Sequence, residues 1–380
     1  MPRAPIPLTM PEARRLWLHA QRLQTPAPFG EGAQATRAAV EHLGYLQIDT
    51  INVIERCHHH ILFTRIPGYS RAHLHQAQSV DKSLFEYWTH ALSYVPTRDL
   101  RFFLPEMKRQ RQTPRSWFAS VAPEDVRRVV AMVRRNGALS IRDFDDEVRI
   151  EKDHPWASTK PSKRALQLAF HTGALTVAER SGMLKIYDLT ERHFGWKKPP
   201  KAATEKETLD YLLDRALRAQ GLVSLDSICH LDARRKAAVL ALIEVRVKRG
   251  ALAHVAVEGF EKAVHWIASA ALEAPAPEGE PVHILSPFDP LIIQRKRLSL
   301  FFDYEHRFEA YVPKENRVWG YFALPVLIGD RIVAAIDVKT DRAKRALMIQ
   351  QWTWIGRRAA GHKARIEAEL GRFERFQLGG

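Results

Sequence analysis

The stretch PSKRALQLAFHTGALTVAERSGMLKIYDL, residues 161–189, decides the fold. Its first eleven residues place apolar side chains at helical spacing and run into Gly173, the kind of residue that closes a helix through left-handed backbone. Two short runs follow, ALTVAER and MLKIYDL, on either side of Ser181-Gly182, which predicts a hairpin. Upstream, PEDVRRVVAMVRRNG (123–137) predicts an amphipathic helix ended by Gly137, and LSIRDFDDE (139–147) starts a second helix. Three helices followed by a hairpin is the winged helix-turn-helix plan.

The same order recurs downstream. TEKETLDYLLDRALRAQG (204–221), SLDSICHL (224–231) and DARRKAAVLALIEVRVKRG (232–250) read as helices, and ALAHVAVEG (251–259) with KAVHWIA (262–268) reads as a hairpin. A more divergent copy precedes both, with PEARRLWLHAQRL (11–23) and AQATRAAVEHLG (33–44) leading into the extended run YLQIDTINVIE (45–55). Aligning GYLQID, GALTVA and GALAHV puts each on the first strand of a wing. A single helix–Gly–strand unit is common in any α+β protein, whereas three ordered copies make a repeat.

Residues 58–122 form an insertion, and APAPEGEP (274–281) reads as a linker. Beyond the linker RFEAYVP (307–313), RVWGYFALPVLI (317–328), RIVAAIDVK (331–339) and LMIQQWTWI (347–355) alternate, with a turn at Gly329-Asp330. They predict an antiparallel, barrel-like C-terminal domain. AAGHKARIEAELGRFERF (359–376) predicts a helix packed across it. The expected fold is α+β, with three tandem winged helices and a β-barrel-like domain. The expected division is 1–122, 123–200, 201–273 and 280–380.

The 380 residues carry 58 Lys and Arg against 43 Asp and Glu, a net charge of +15. That excess on a globular chain favours a polyanionic partner, with nucleic acid first, because each neutralised phosphate releases condensed counterions. No run approaches the roughly 18 apolar residues of a membrane span, and MPRAPIPLTMPEARR has no signal-peptide core, so a cytoplasmic protein is expected. Cys57 and Cys229 are too few for a disulfide framework or thiolate cluster. The motifs GxxxxGK[ST], GxGxxG, GxSxG and HExxH are all missing, which removes the main support for ATPase, dehydrogenase, serine hydrolase and metalloprotease readings.

In GYLQIDTIN (44–52), strand alternation sends Tyr45, Gln47 and Asp49 to one side and Leu46 and Ile48 to the other. An amide and a carboxylate then share a face about 7 Å apart, at a rise of roughly 3.3 Å per residue. A solvated strand face has the same pattern. The next segment, ERCHHHILFTR (55–65), brings Arg56, His58, His59, His60 and Arg65 close behind. If the strand continues, His58 and His60 share a face, but His-x-His without a third ligand nearby is a weak zinc signal, so phosphate-contacting or structural roles rank ahead of a metal. Residues 98–115 hold six basic residues, among them Lys108, Arg109 and Arg111, against Asp99 and Glu106, with Phe102, Phe103 and Trp117 interleaved nearby. This pattern fits phosphate-backbone contact. Lys163 and Arg164 open a recognition-type helix, as Arg234, Arg235 and Lys236 do in the later copy, and Arg295 and Lys296 in QRKR (294–297) are candidates of the same kind.

Three blocks, LQIDTINVIERCHHHILFTRIPGY (46–69), FEYWTHALSYVP (85–96) and LSPFDPLIIQRKR (285–297) followed by FEAYVPKENRVWGYFALPVLIGDRIVAAIDVKTDR (308–342), together resemble the YcaQ-like DNA glycosylases, relatives of the AlkZ enzymes. The resemblance implies tandem winged helices and a C-terminal β-barrel gripping duplex DNA, with a Gln-x-Gln or Gln-x-Asp pair as active site. The matching positions are Gln47 and Asp49, the aspartate form resembling the crosslink-unhooking branch. It further implies a monofunctional, metal-independent enzyme without cofactor, acting on double-stranded DNA with alkylated or crosslinked bases. A monomer without membrane association is expected. Two alternatives stand beside it: a non-enzymatic winged-helix DNA-binding protein, and a metal-dependent nuclease using His58, His60 and Asp49.

Overall fold

The computed structural model describes residues 4–145, 149–152, 158–273 and 279–379. The chain divides into two compact units, one made of residues 1–71 with 209–380 and the other of residues 72–208.

In the second unit the Pro123–Asn136 helix begins with proline and carries Glu124 and Asp125 in its first turn and Arg134 and Arg135 in its last. That arrangement complements the helix dipole at both ends. Val129 and Val133 are buried. The Pro161–His171 helix follows, then the antiparallel strands Leu175–Ser181 and Leu184–Leu189. Gly182, at φ 61°, opens the two-residue loop between them, as the glycine-first hairpin turn requires. The predicted helix from residue 139 is instead a strand, Leu139–Ser140, added to the hairpin edge, and a single 3-10 turn, Ile141–Asp143. The Ser140 hydroxyl accepts from the Arg142 N–H at 3.1 Å while Asp143 accepts from the Ser140 N–H at 2.7 Å. Side chains that bond their own backbone in this way compete with continued helix. Residues 146–147 of that prediction lie outside the described residues, as do 274–278 of the linker.

The first unit contains the later copy from residue 209 onward. The Lys236–Lys248 helix packs with the Leu252–Val257 and His265–Ala268 hairpin around Leu213, Val239, Ile243 and Trp266. Val223 exchanges both backbone hydrogen bonds with Trp266 at 2.8 Å, and Ile6–Leu8 adds a parallel strand against Val255–Val257. The N-terminal copy departs from its prediction. Helices Met10–Ala20 and Gly32–Leu43 form, but the extended run shrinks to Leu46–Gln47, and residues 57–65 are helix. The carboxylate of Asp49 accepts the N–H of Ile51 at 2.7 Å, a local turn that ends the strand.

The C-terminal strands Val282–Ile284, Ala323–Ile328, Arg331–Asp341 and Ala346–Trp354 pair in that order as an open antiparallel sheet. The predicted barrel is not closed, since four strands, one of only three residues, cannot wrap around a core. RFEAYVP forms no strand because the buried carboxylate of Glu309 gathers the backbone N–H groups of Val318, Trp319 and Gly320 at 2.7 to 3.2 Å, folding residues 309–320 into a loop. The His362–Leu378 helix lies against the sheet and buries Ile366, Leu370 and Phe373.

One buried ion pair fastens this unit. Arg65, 1% exposed, donates to both oxygens of Asp289 at 2.7 and 3.0 Å. Its other donors reach the backbone oxygens of Gln21 and Ile61 and the side-chain oxygen of Gln21. All five guanidinium N–H groups are therefore satisfied. Replacing Asp289 with asparagine leaves that cation without its counterion in the core, and chemical denaturation is expected to show a loss of about 3–5 kcal/mol.

Candidate active site

Gln47 sits on the two-residue strand and is 7% exposed. Its backbone oxygen accepts the Cys57 thiol at 3.1 Å. Cys57 opens the Cys57–Arg65 helix, so this bond ties the helix start to the strand. Asp49 lies between them, half-buried, its carboxylate facing the Ile51 N–H. Burial raises the Asp49 pKa above the ordinary aspartate value, and hydrogen bonds from the backbone of Ile51 and Thr50 oppose the shift. Burial and then the Asp49 charge push the Cys57 thiol well up, so it remains a proton donor. The result is a half-buried carboxylate with raised basicity two residues from a neutral amide, a combination suited to activating water.

The histidines do not alternate along a strand. On a helix, residues two apart point about 200° apart, so His58 and His60 face opposite ways. The His58 ring lies 4.4 Å from that of His59, and Nδ1 of His59 is 2.8 Å from the Tyr69 hydroxyl. His60 Nε2 donates to the Ile284 carbonyl at 2.8 Å while its ring stacks on Phe373 at 4.4 Å. Burial, followed by the charges of Arg71 and Arg56, pushes His59 down to about 3, and burial pushes His60 down to about 4. Both are neutral at physiological pH and bring no charge to a phosphate. Among the described residues no group of three or more His, Cys, Asp and Glu is placed to hold a metal.

The other candidates divide by exposure. Arg65 lies inside the buried pair with Asp289. Arg164 is 3% exposed and donates to the Ser120 hydroxyl and, at 3.5 Å, to the Glu151 carbonyl. Arg295 donates to the carbonyls of Ile292 and Pro287, both at 2.8 Å, and burial lowers its pKa to about 10. Arg65 and Arg164, expected at phosphates, serve the interior, and Arg295 is half-buried with two of its donors spent on neutral carbonyls. Lys108, Arg109, Arg111, Lys163 and Lys296 are exposed. Arg109 pairs with Glu106 at 2.6 Å, and Arg111 donates to the Thr172 carbonyl at 2.7 Å. Lys108, Arg109, Arg111, Lys163 and Arg164 belong to the second unit, and Gln47, Asp49 and Arg56 to the first.

Sequence reasoning named Arg56 but missed three further cations that share a cavity with it. Arg56, Arg71, Arg342 and Arg345 line one open cavity of about 320 Å³ with Asn52 and Glu55. Arg342 and Arg345 lie almost 300 residues beyond Asp49, and only TDR in the block 308–342 marked one of them.

Compared with known families, residues 40–376 match the one described as DNA glycosylase AlkZ-like. The chain belongs to the AlkZ-like DNA glycosylase family. The fold of this AlkZ-like chain is similar to that of Streptomyces sahachiroi DNA glycosylase AlkZ, with TM-score 0.64 and 16% identity over 98% of this chain and 97% of that one. DNA is thus the substrate of the AlkZ-like chain, and glycosidic-bond hydrolysis the class of reaction its residues have to serve. Among the described residues no helix is long and apolar enough to cross a membrane.

Because burial holds His59 and His60 neutral, long-range ¹H–¹⁵N spectra of the AlkZ-like protein at pH 5.5 are expected to show neutral tautomer patterns for both rings. An imidazolium pattern at either position would contradict the arrangement described.

Proposed function

We propose that this protein hydrolyses the N-glycosidic bond of N7-alkylated purines in duplex DNA and unhooks interstrand crosslinks, leaving abasic sites. N7 alkylation makes the base cationic, so it departs with the C1′–N9 electron pair as a neutral purine and needs no general acid. The enzyme has to stabilise an oxocarbenium-like sugar and deliver water to C1′. Asp49 does both, placing negative charge beside the sugar and taking the proton that water loses. Gln47 orients water or deoxyribose through its amide and, being neutral, leaves the charge to Asp49. The observation that carries this reading is the half-buried carboxylate of Asp49, two residues after Gln47, with its raised pKa and its hydrogen bond from the Ile51 N–H.

In this reading three tandem winged helices and the C-terminal sheet bind duplex DNA. The exposed cations Lys108, Arg109, Arg111, Lys163 and Lys296 meet phosphates together with Arg56. The enzyme works as a monomer in the cytoplasm, without metal or cofactor. A crosslinked base is tethered to the opposite strand and cannot swing into a deep pocket as a flipped base does, so a carboxylate on an open loop suits it.

The test is incubation with a duplex carrying N7-methylguanine or a nitrogen-mustard crosslink, with alkali-labile sites scored on a gel. Asp49→Asn is expected to lower base release about 100- to 10,000-fold, with DNA affinity unchanged or slightly raised. The ionised form is the one that folding penalises, so Asp49 works against stability above its ordinary pKa, and the variant's Tm should not fall. For the wild type, activity needs the carboxylate, so the rate should fall as pH drops through a pKa above the usual 3.9 or so. Loss of DNA binding in parallel with activity would make Asp49 structural instead. Arg109→Ala with Arg111→Ala should weaken damaged and undamaged duplex equally and flatten the salt dependence, and an unchanged salt slope would remove that helix from the interface.

A further inference from the structure

The cavity beside the Asp49 loop has a composition that points to a ligand. Four guanidinium groups, those of Arg56, Arg71, Arg342 and Arg345, converge on it from three separate segments of the first unit, and among its lining residues Glu55 is the one acid. Glu55 is already matched: Arg71 donates to its carboxylate at 2.5 and 3.0 Å, and Gln377 donates to the same oxygen at 3.3 Å. Three positive charges remain without an acidic partner in the lining. Arg342 donates to the Asn52 carbonyl and Arg345 to the Leu378 carbonyl, each at 2.9 Å. Neutral carbonyls fix these side chains in place without cancelling their charge, and a guanidinium has five donors to offer. The buried Nε of Arg56 has no hydrogen-bond partner among the described residues.

We propose that this cavity is a preformed phosphodiester site that grips one backbone phosphate of the lesion-bearing duplex and so positions the sugar over Asp49. The proposal rests on the glycosylase reading and deepens it. Its place in the fold supplies the reach. Asn52, in the cavity wall, is three residues from Asp49, so the wall begins within about 11 Å of the Asp49 backbone at roughly 3.8 Å per step. With phosphates about 3.4 Å apart along the axis on each strand, the gripped group lies within roughly three nucleotides of the damaged base. The loop and the arginine-bearing turn also move as one piece, because Thr340 donates its N–H to the Val53 carbonyl at 3.0 Å next to the Arg342–Asn52 bond. Planar guanidinium forks from separate segments match the tetrahedral, multi-acceptor geometry of a phosphate better than that of a carboxylate ligand.

The experiment compares wild type with Arg342→Ala/Arg345→Ala, two exposed turn positions whose replacement leaves the core intact. Binding is measured first on undamaged duplex across a salt series. The variant's log Kd against log[salt] slope should be lower by about 1, the signature of one lost phosphate contact. Base release is then measured on N7-methylguanine duplexes in which single phosphates within three nucleotides of the lesion are replaced by neutral methylphosphonate. One or two positions should cost the wild type about tenfold or more in kcat/KM and leave the double variant unaffected. Equal methylphosphonate losses in both proteins, or an unchanged salt slope, would overturn the proposal. So would inhibition of wild type by inorganic phosphate beyond matched sodium chloride, without any methylphosphonate effect, since that would assign the cavity to a free anion. A changed salt slope with no base release from any alkylated duplex would leave the phosphate site standing and sink the glycosylase reading.

Discussion

The Arg65–Asp289 ion pair is the constraint on which the first unit depends. Its partners are 224 residues apart and buried together, so the Cys57–Arg65 helix is pinned to the turn that follows the first strand of the C-terminal sheet. Asp289 is itself held, accepting the Leu291 N–H at 3.0 Å, while Gln21 brings the N-terminal helix region to the same guanidinium. Buried pairs of this type add little net stability over an apolar core of the same shape, but breaking one is costly. Their effect is to exclude alternative packings. Here the exclusion passes to Cys57 at the other end of the helix, and through its thiol to Gln47.

Electrostatics around the Asp49 loop follows from burial more than from net charge. The chain carries +15, yet Arg65 and Arg164 face inward, and His59 and His60 are held neutral. The same desolvation makes the Asp49 carboxylate a stronger base. A charged residue on a basic surface and a charged residue in a core are identical letters in a sequence, which is why composition pointed to the class of partner but could not tell surface cations from interior ones.

What was legible was local. The Pro161–His171 helix, the hairpin at Ser181-Gly182, the Lys236–Lys248 helix and the Arg331–Asp341 strand followed from spacing and turn chemistry. The misread segment, 55–65, has no amphipathic period to detect, because eight of the nine residues in the Cys57–Arg65 helix are buried. The open sheet and the Glu309 loop escaped for a different reason. A carboxylate collecting three backbone N–H groups nine to eleven residues away leaves no periodic trace. Gln47 and Asp49 were singled out by strand alternation and by resemblance, though the regular strand expected to carry both ends at Gln47. The arginines of the cavity, from residues 56 to 345, are adjacent only after folding.

That separation also sets a timetable for biosynthesis. The Gln47–Asp49 pair leaves the ribosome early, but the Ile284 carbonyl that holds His60, the Asp289 that holds Arg65 and the Phe373 that stacks on His60 all emerge more than two hundred residues later. Until then the Cys57–Arg65 helix has no buried partner for its cation, and the Asp49 loop has no far wall. Contacts this distant in sequence form slowly and late. The Cys57–Arg65 helix that follows Asp49 therefore acquires its packing only when translation has delivered residues 284–373, and a shorter nascent chain carries Gln47 and Asp49 without that support.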